Sequence, residues 1–179
     1  MDAYLTAIVD FVSAHRAWAG PIVFLLALGE TVAFVSILIP STAILVGVGA
    51  LVATGALDFA PLFVGAALGA LVGSTFSYWL GRRYGPAITH MWPLNRDPGL
   101  VQRSSDAFAR WGSAAVLIGH FFGPLRAIVF AGAGFSEMRT RAFQVANVPG
   151  AIAWAFLIPK SGELGGDVLG AVWRAVGGG

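Results

Sequence analysis

Long apolar stretches interrupted by proline, each holding one strong charge, constrain this chain more than any other feature. From Ala17 to Leu57 the only charge is Glu30, and from Trp111 to Ser136 the only full charge is Arg126, with His120 as a second titratable group. In a bilayer such side chains are tolerated where they face the protein interior or a wet cavity, and they mark a transport or binding site by default. Glu30 and Arg126 are therefore the first candidates for function.

The composition puts these stretches in a membrane. Hydrophobic residues make up 57% of the chain and charged residues 11%, with a mean hydropathy of +0.77, against about 25% charged residues in a soluble domain. The 179 residues suit one domain of about four to six hydrophobic helical segments at roughly 20 residues each. The pI near 9.5 rests on a net charge of only +2, so the basic residues read as topology signals and no nucleic-acid partner is expected. Cysteine is absent, and His15, His90 and His120 lack zinc-ligand spacing, so neither a metal nor a cofactor is expected. Met1 to Arg16 lacks a basic n-region, which argues against a cleaved signal peptide.

Along the chain, residues 1–19 read as an interfacial amphipathic helix, with Leu5, Ile8, Val9 and Val12 at helical spacing beside Asp2, Asp10 and Arg16. Residues 20–160 form the membrane domain, opened by Gly20-Pro21, and residues 161–179 a short C-terminal helix and tail. The first apolar region is too long for one span, and Pro40 near its middle removes a backbone donor, so a re-entrant hairpin is the economical reading. Asp58 and Pro61 then mark a helix start. The uncharged helix that follows runs to Gly81 and ends at Arg82-Arg83. Gly65, Gly69, Gly73, Ser77 and Gly81 recur on it every fourth residue, a small-residue stripe that lets another backbone approach.

Five arginines lie between Arg82 and Arg110 against Asp97 and Asp106, which makes this connection cytoplasmic. A surface helix is expected after Asp97-Pro98. The second apolar region, Trp111 to Phe135, breaks at Gly123-Pro124 and returns to Arg139 and Arg141, so it reads as a second hairpin. Ala142 to Pro159 is a further span. The expected fold is thus an all-α integral membrane protein, an inverted repeat of re-entrant, broken helical hairpin plus transmembrane helix. In transporters that pattern gathers broken helices around a site at the bilayer midplane.

Pro124 favours the first position of a helix, which puts Arg126 in a first turn among free N–H groups; that arrangement suits an anion such as phosphate. Pro40, Ser41 and Thr42 offer a counterpart in the first hairpin, with hydroxyls able to cap the helix or touch a ligand. If the repeats interlock, Glu30 approaches Arg126. The pair then either fixes packing or exchanges a proton, since burial penalises the charged carboxylate while a guanidinium favours it. His120 is equally open to a packing or a proton-carrying role.

These residues resemble the bacterial DedA family, also described as the VTT or SNARE-associated membrane domain. The resemblance rests on Glu30 with the turn Pro40-Ser41-Thr42, on Tyr78-Trp79-Leu80-Gly81-Arg82, on Gly119 through Arg126, and on Ala131-Gly132, Phe143, Asn147 and Trp154. It covers roughly Leu25 to Leu157. Thr42 stands where the family has a second acid and His120 where it has an arginine. The resemblance implies a non-enzymatic, multi-pass protein of the bacterial inner membrane that translocates an anionic lipid, undecaprenyl phosphate or phospholipid, with proton-motive force as driver. Two alternatives stand beside it. One is a scaffold or homo-oligomer packed through the small-residue stripe; the other is a lipid phosphatase, for which the chain lacks the arginine-rich acid motif and the Ser-Gly-His element.

Overall fold

The computed structural model describes residues 14–32, 41–88, 106, 108, 110–123 and 126–175. Among these there are six helices and no strand: α1 (Arg16–Thr31), α2 (Ser41–Ala53), α3 (Phe59–Ile88), α4 (Ser113–Gly119), α5 (Arg126–Phe135) and α6 (Thr140–Ala175). Each charge-poor apolar region holds two short helices rather than one span. Over the described residues, at 1.5 Å per residue, α1 and α2 are about 24 and 20 Å long and α4 and α5 about 10 and 15 Å, all short of a hydrocarbon core of about 30 Å. Among the described residues, two segments are long and apolar enough to cross, Phe59–Gly85 and Thr140–Gly165.

Helix ends follow from local chemistry. α1 stops where the Thr31 hydroxyl turns back to the carbonyls of Ala27 (2.9 Å) and Leu28 (3.0 Å) and Val32 becomes extended. α2 and α5 end alike. At the first, the N–H groups of Gly55 and Ala56 bond to Val52 and Leu51; at the second, those of Glu137 and Met138 bond to Gly134 and Ala133. Both are Schellman motifs closed by a left-handed residue, Gly55 at φ 76° and Glu137 at φ 54°.

Gly20-Pro21 lies inside α1, where the exposed proline ring faces away from the protein. Two expectations about helix extent are corrected. α3 continues past Arg82-Arg83 to Ile88, since charge ends an apolar span without ending a helix. α6 runs unbroken through Pro149 and Pro159 to Ala175, because packed neighbours support a helix across the donor that proline lacks. Residues 1–13 of the helix expected at 1–19, most of that after Asp97-Pro98, and the prolines Pro40 and Pro124 lie outside the described residues.

α3 is the organising helix, packed against α1, α5 and α6, while α6 also carries α2 and α4. The small-residue stripe makes these contacts. A Cβ on Gly65 would meet the Gly20 backbone, one on Gly69 the Phe24 carbonyl, and one on Gly73 the Thr31 hydroxyl. Ser77 donates to the Thr31 carbonyl at 2.6 Å, and Gly81 faces the Ala131 carbonyl of α5. The stripe is therefore filled by α1 and α5 of the same chain, not open to an oligomer partner. The outward surface carries Val64, Leu68, Val72 and Phe76 on α3, Ile22 and Leu25 on α1, and Ile152 and Phe156 on α6, all exposed. A continuous apolar exterior of this kind is a lipid-facing surface.

The α2–α6 and α3–α5 crossings are equally close. An added Cβ on Gly49 would fall on the Pro159 carbonyl and one on Gly162 on that of Val46; at the other crossing, Gly134 meets the Tyr78 carbonyl and Gly81 that of Ala131.

Candidate functional site

Arg126 opens α5 and is fully buried, as the sequence spacing leads one to expect. Its Nη2 lies 2.9 Å from Oε2 of Glu30, in the last turn of α1. The contact is charge to charge, off the line of a hydrogen bond. On its other side the guanidinium lies over the ring of Trp154 from α6, 4.0 Å from the centroid. Such stacking contributes about 0.5–2 kcal/mol, whereas removing one member of a buried ion pair costs about 3–5 kcal/mol. Charge pairing thus dominates the placement, and the indole fixes the plane of the guanidinium. Nε and Nη1 of Arg126 have no acceptor among the described residues.

His120 follows α4 directly and is also fully buried. Its Nδ1 is 3.1 Å from the Val116 carbonyl, its ring is 4.7 Å from that of Phe130, and it fills the space beside Gly150. Phe130 is one turn after Arg126 on α5, and Gly150 one turn before Trp154 on α6. His120 and Arg126 therefore pack one turn apart along the same side-chain seam between α5 and α6. Three helices and a helix break converge here, bringing together Glu30, His120, Arg126 and Trp154.

Other expected residues lie elsewhere. Ser41 and Thr42 begin α2, but their side chains lie outside the described residues. Gly123, at φ 53°, sits in the break between α4 and α5, as expected of a structural break. Tyr78 and Arg82 serve the other end of α5: the Tyr78 hydroxyl donates to the Met138 carbonyl at 2.5 Å, and Arg82 Nη1 reaches the Tyr78 oxygen at 2.9 Å and the same carbonyl at 3.1 Å. Gly134, against Tyr78, is about 12 Å along the helix from Arg126.

Asn147 belongs to a buried network at the α3–α6 crossing. Ser74 donates to its Oδ1 at 2.7 Å, and its Nδ2 donates to Gln144 Oε1 at 3.0 Å. Gln144 in turn donates to Thr75 at 3.0 Å. Sequence reasoning missed Ser74, Thr75 and Gln144, although three polar residues in otherwise apolar spans are a usable signal. A groove of about 650 Å³ lies on the outer face beside this network, lined by Leu71, Thr75, Phe76, Trp79 and Gln144. It does not include the Glu30–Arg126 pair, and the buried charges, not the groove, carry the chemistry. No group of His, Asp and Glu among the described residues is arranged to hold a metal.

Comparison with known proteins sets the chain beside membrane proteins. The VTT domain model matches residues 39–164. The inner membrane protein YabI of Escherichia coli (strain K12) is 29% identical over 160 residues, covering 89% of this chain and 63% of the relative. The uncharacterized membrane protein Rv2637 of Mycobacterium tuberculosis (strain ATCC 25618 / H37Rv) is 37% identical over 145 residues, covering 75% of this chain and 66% of the relative. The inner membrane protein YghB of Escherichia coli (strain K12) is 31% identical over 125 residues, covering 69% and 57%. This chain thus spans under two thirds of the length of each. No solved structure matches.

Proposed function

Because the chain belongs to the VTT-domain (DedA) family of membrane proteins, we propose that it moves an anionic lipid phosphate, undecaprenyl phosphate or a phospholipid, across a bacterial inner membrane. The observation that carries this reading is the buried Arg126, in the first turn of a half-length helix, with Nε and Nη1 lacking acceptors among the described residues. A guanidinium held flat on an indole, with donors to spare beside a helix N-terminus, suits a phosphate oxygen. Glu30 is its competitor. While ionised it neutralises Arg126; once protonated it leaves the cation to a phosphate, so a proton and an anion enter together. Nothing in this arrangement calls for bond-breaking chemistry, and the reading is of a carrier, not an enzyme.

An inverted repeat of hairpin and span supplies the framework. Exchanging α1, α2 and α3 for α4, α5 and α6 turns the α2–α6 pairing into α5–α3 and α1–α3 into α4–α6. The register agrees as well: Gly49 stands as far from Ser41 as Gly134 from Arg126, Gly81 as far from Phe59 as Gly162 from Thr140, and the facing carbonyls match in the same way. Two halves related in this way, with broken helices at the centre, favour alternating exposure of one midplane site.

The test is reconstitution in liposomes holding labelled undecaprenyl phosphate or phospholipid, with an imposed pH gradient. Gradient-dependent movement of either lipid is the expected result. Absence of movement of both would leave a scaffold role, and release of inorganic phosphate would mark an enzyme.

A further inference from the structure

His120 carries an unused hydrogen-bond acceptor. Its Nδ1 lies 3.1 Å from the Val116 carbonyl, and a carbonyl only accepts, so the proton of the neutral ring sits on Nδ1 and Nε2 keeps its lone pair. Nε2 is buried and has no partner among the described residues. A buried acceptor left so is a cost that the fold carries until a donor reaches it.

His120, with this buried lone pair, packs one turn along the α5–α6 seam from Arg126 and its spare donors. The His120 ring touches Phe130 and Gly150, each one turn from the residue that makes or receives the Arg126 stacking. The charged groups at this seam are Glu30 from α1 and Arg126 from α5; α4 contributes Val116, and α6 contributes Gly150 and Trp154.

We infer that His120 is a specificity residue whose Nε2 accepts the P–O–H hydrogen of a singly ionised phosphate monoester, while Arg126 donates to that phosphate's other oxygens. The inference rests on the anion-binding reading of Arg126 and deepens it to one ligand class. A monoester monoanion offers both the hydrogen for His120 and the negative oxygens for Arg126. A phosphodiester has the same charge and no such hydrogen, so it leaves Nε2 buried and unpaired. A site that pairs a ligand hydroxyl discriminates strongly against an analogue without one.

The test is binding by calorimetry to the full chain in nanodiscs of neutral lipid, at a pH of about 5.5, below the second phosphate pKa of about 6. The probes are octyl phosphate, its methyl diester and inorganic phosphate. Octyl phosphate is expected to bind about tenfold or more tighter than the diester, the scale of one buried hydrogen bond. His120→Phe keeps an aromatic ring for Phe130 and removes the acceptor, so the preference is expected to fall below about twofold. Inorganic phosphate separates the sources: displacement of octyl phosphate at similar concentrations assigns the site to free phosphate, and weak displacement to a lipid headgroup, both with the proposed recognition. Equal binding of the two esters overturns the inference and leaves the anion site standing. Binding of none of the probes overturns both, and a tenfold preference retained in His120→Phe overturns the role of His120. If that variant does not fold, the wild-type ratio decides alone.

Discussion

Arg126 is held by two different forces, the Glu30 carboxylate and the Trp154 ring face, and the variants separate them. Arg126→Lys keeps the charge but loses the planar fork that lies on the indole and presents several donors at once. Lipid movement is expected to fall at least about tenfold while the protein still inserts and folds; normal transport would make the arginine purely structural. Glu30→Gln leaves the cation buried without its counter-charge, which is expected to lower stability in detergent by about 3–5 kcal/mol. If the carboxylate also carries the coupled proton, the remaining folded protein loses its response to a pH gradient. A stable, active and gradient-driven Glu30→Gln protein would refute both roles. Sequence alone brought out Glu30 and Arg126, because a lone charge in an apolar run is visible without coordinates. Trp154 was named only through the family resemblance, with no contact to Arg126 foreseen, and Phe130 was not named, since aromatic residues are common in such spans and only the side-chain packing selects these two.

At the scale of elements, helix interruptions were legible and helix continuations were not. Both apolar regions are interrupted among the described residues, where α1 ends at Thr31 and α4 at Gly119, as their lengths lead one to expect. Pro159 and Arg82-Arg83 were read as ends, yet α6 and α3 pass through them, because tertiary neighbours decide whether a helix survives a missing donor or a change of solvent. The Schellman motif after α5 offers an independent check on this packing. Glu137 occupies a left-handed conformation at φ 54° and is exposed, where a side chain is strained and glycine is not. Glu137→Gly is expected to raise stability by about 0.5–1 kcal/mol in thermal unfolding, with the loss of unfolded-chain restriction setting the upper limit. Destabilisation by that change would mean that α5 does not end as described.

For the whole molecule, the two close crossings are the feature on which the proposed pairing of two matching halves rests. Gly49 and Gly134 both meet backbone carbonyls across a helix pair, so Gly49→Ala and Gly134→Ala are each expected to cost about 1–3 kcal/mol by overpacking, and by similar amounts. A large loss at one and none at the other would contradict the equivalence of the halves. The two long apolar helices were readable from charge and hydropathy. The register of the glycines was not, because only the structure pairs Gly49 with Pro159 and Gly134 with Tyr78. The central claim is that this framework presents Arg126 to a lipid phosphate. Its most direct measurement is movement of labelled undecaprenyl phosphate and phospholipid into proteoliposomes under a pH gradient, comparing the wild-type chain with a folded Arg126→Lys variant. The expected result is gradient-dependent movement of one of these lipids that falls about tenfold or more in the variant; equal rates in the two proteins, or no movement of either lipid by the wild type, would contradict it.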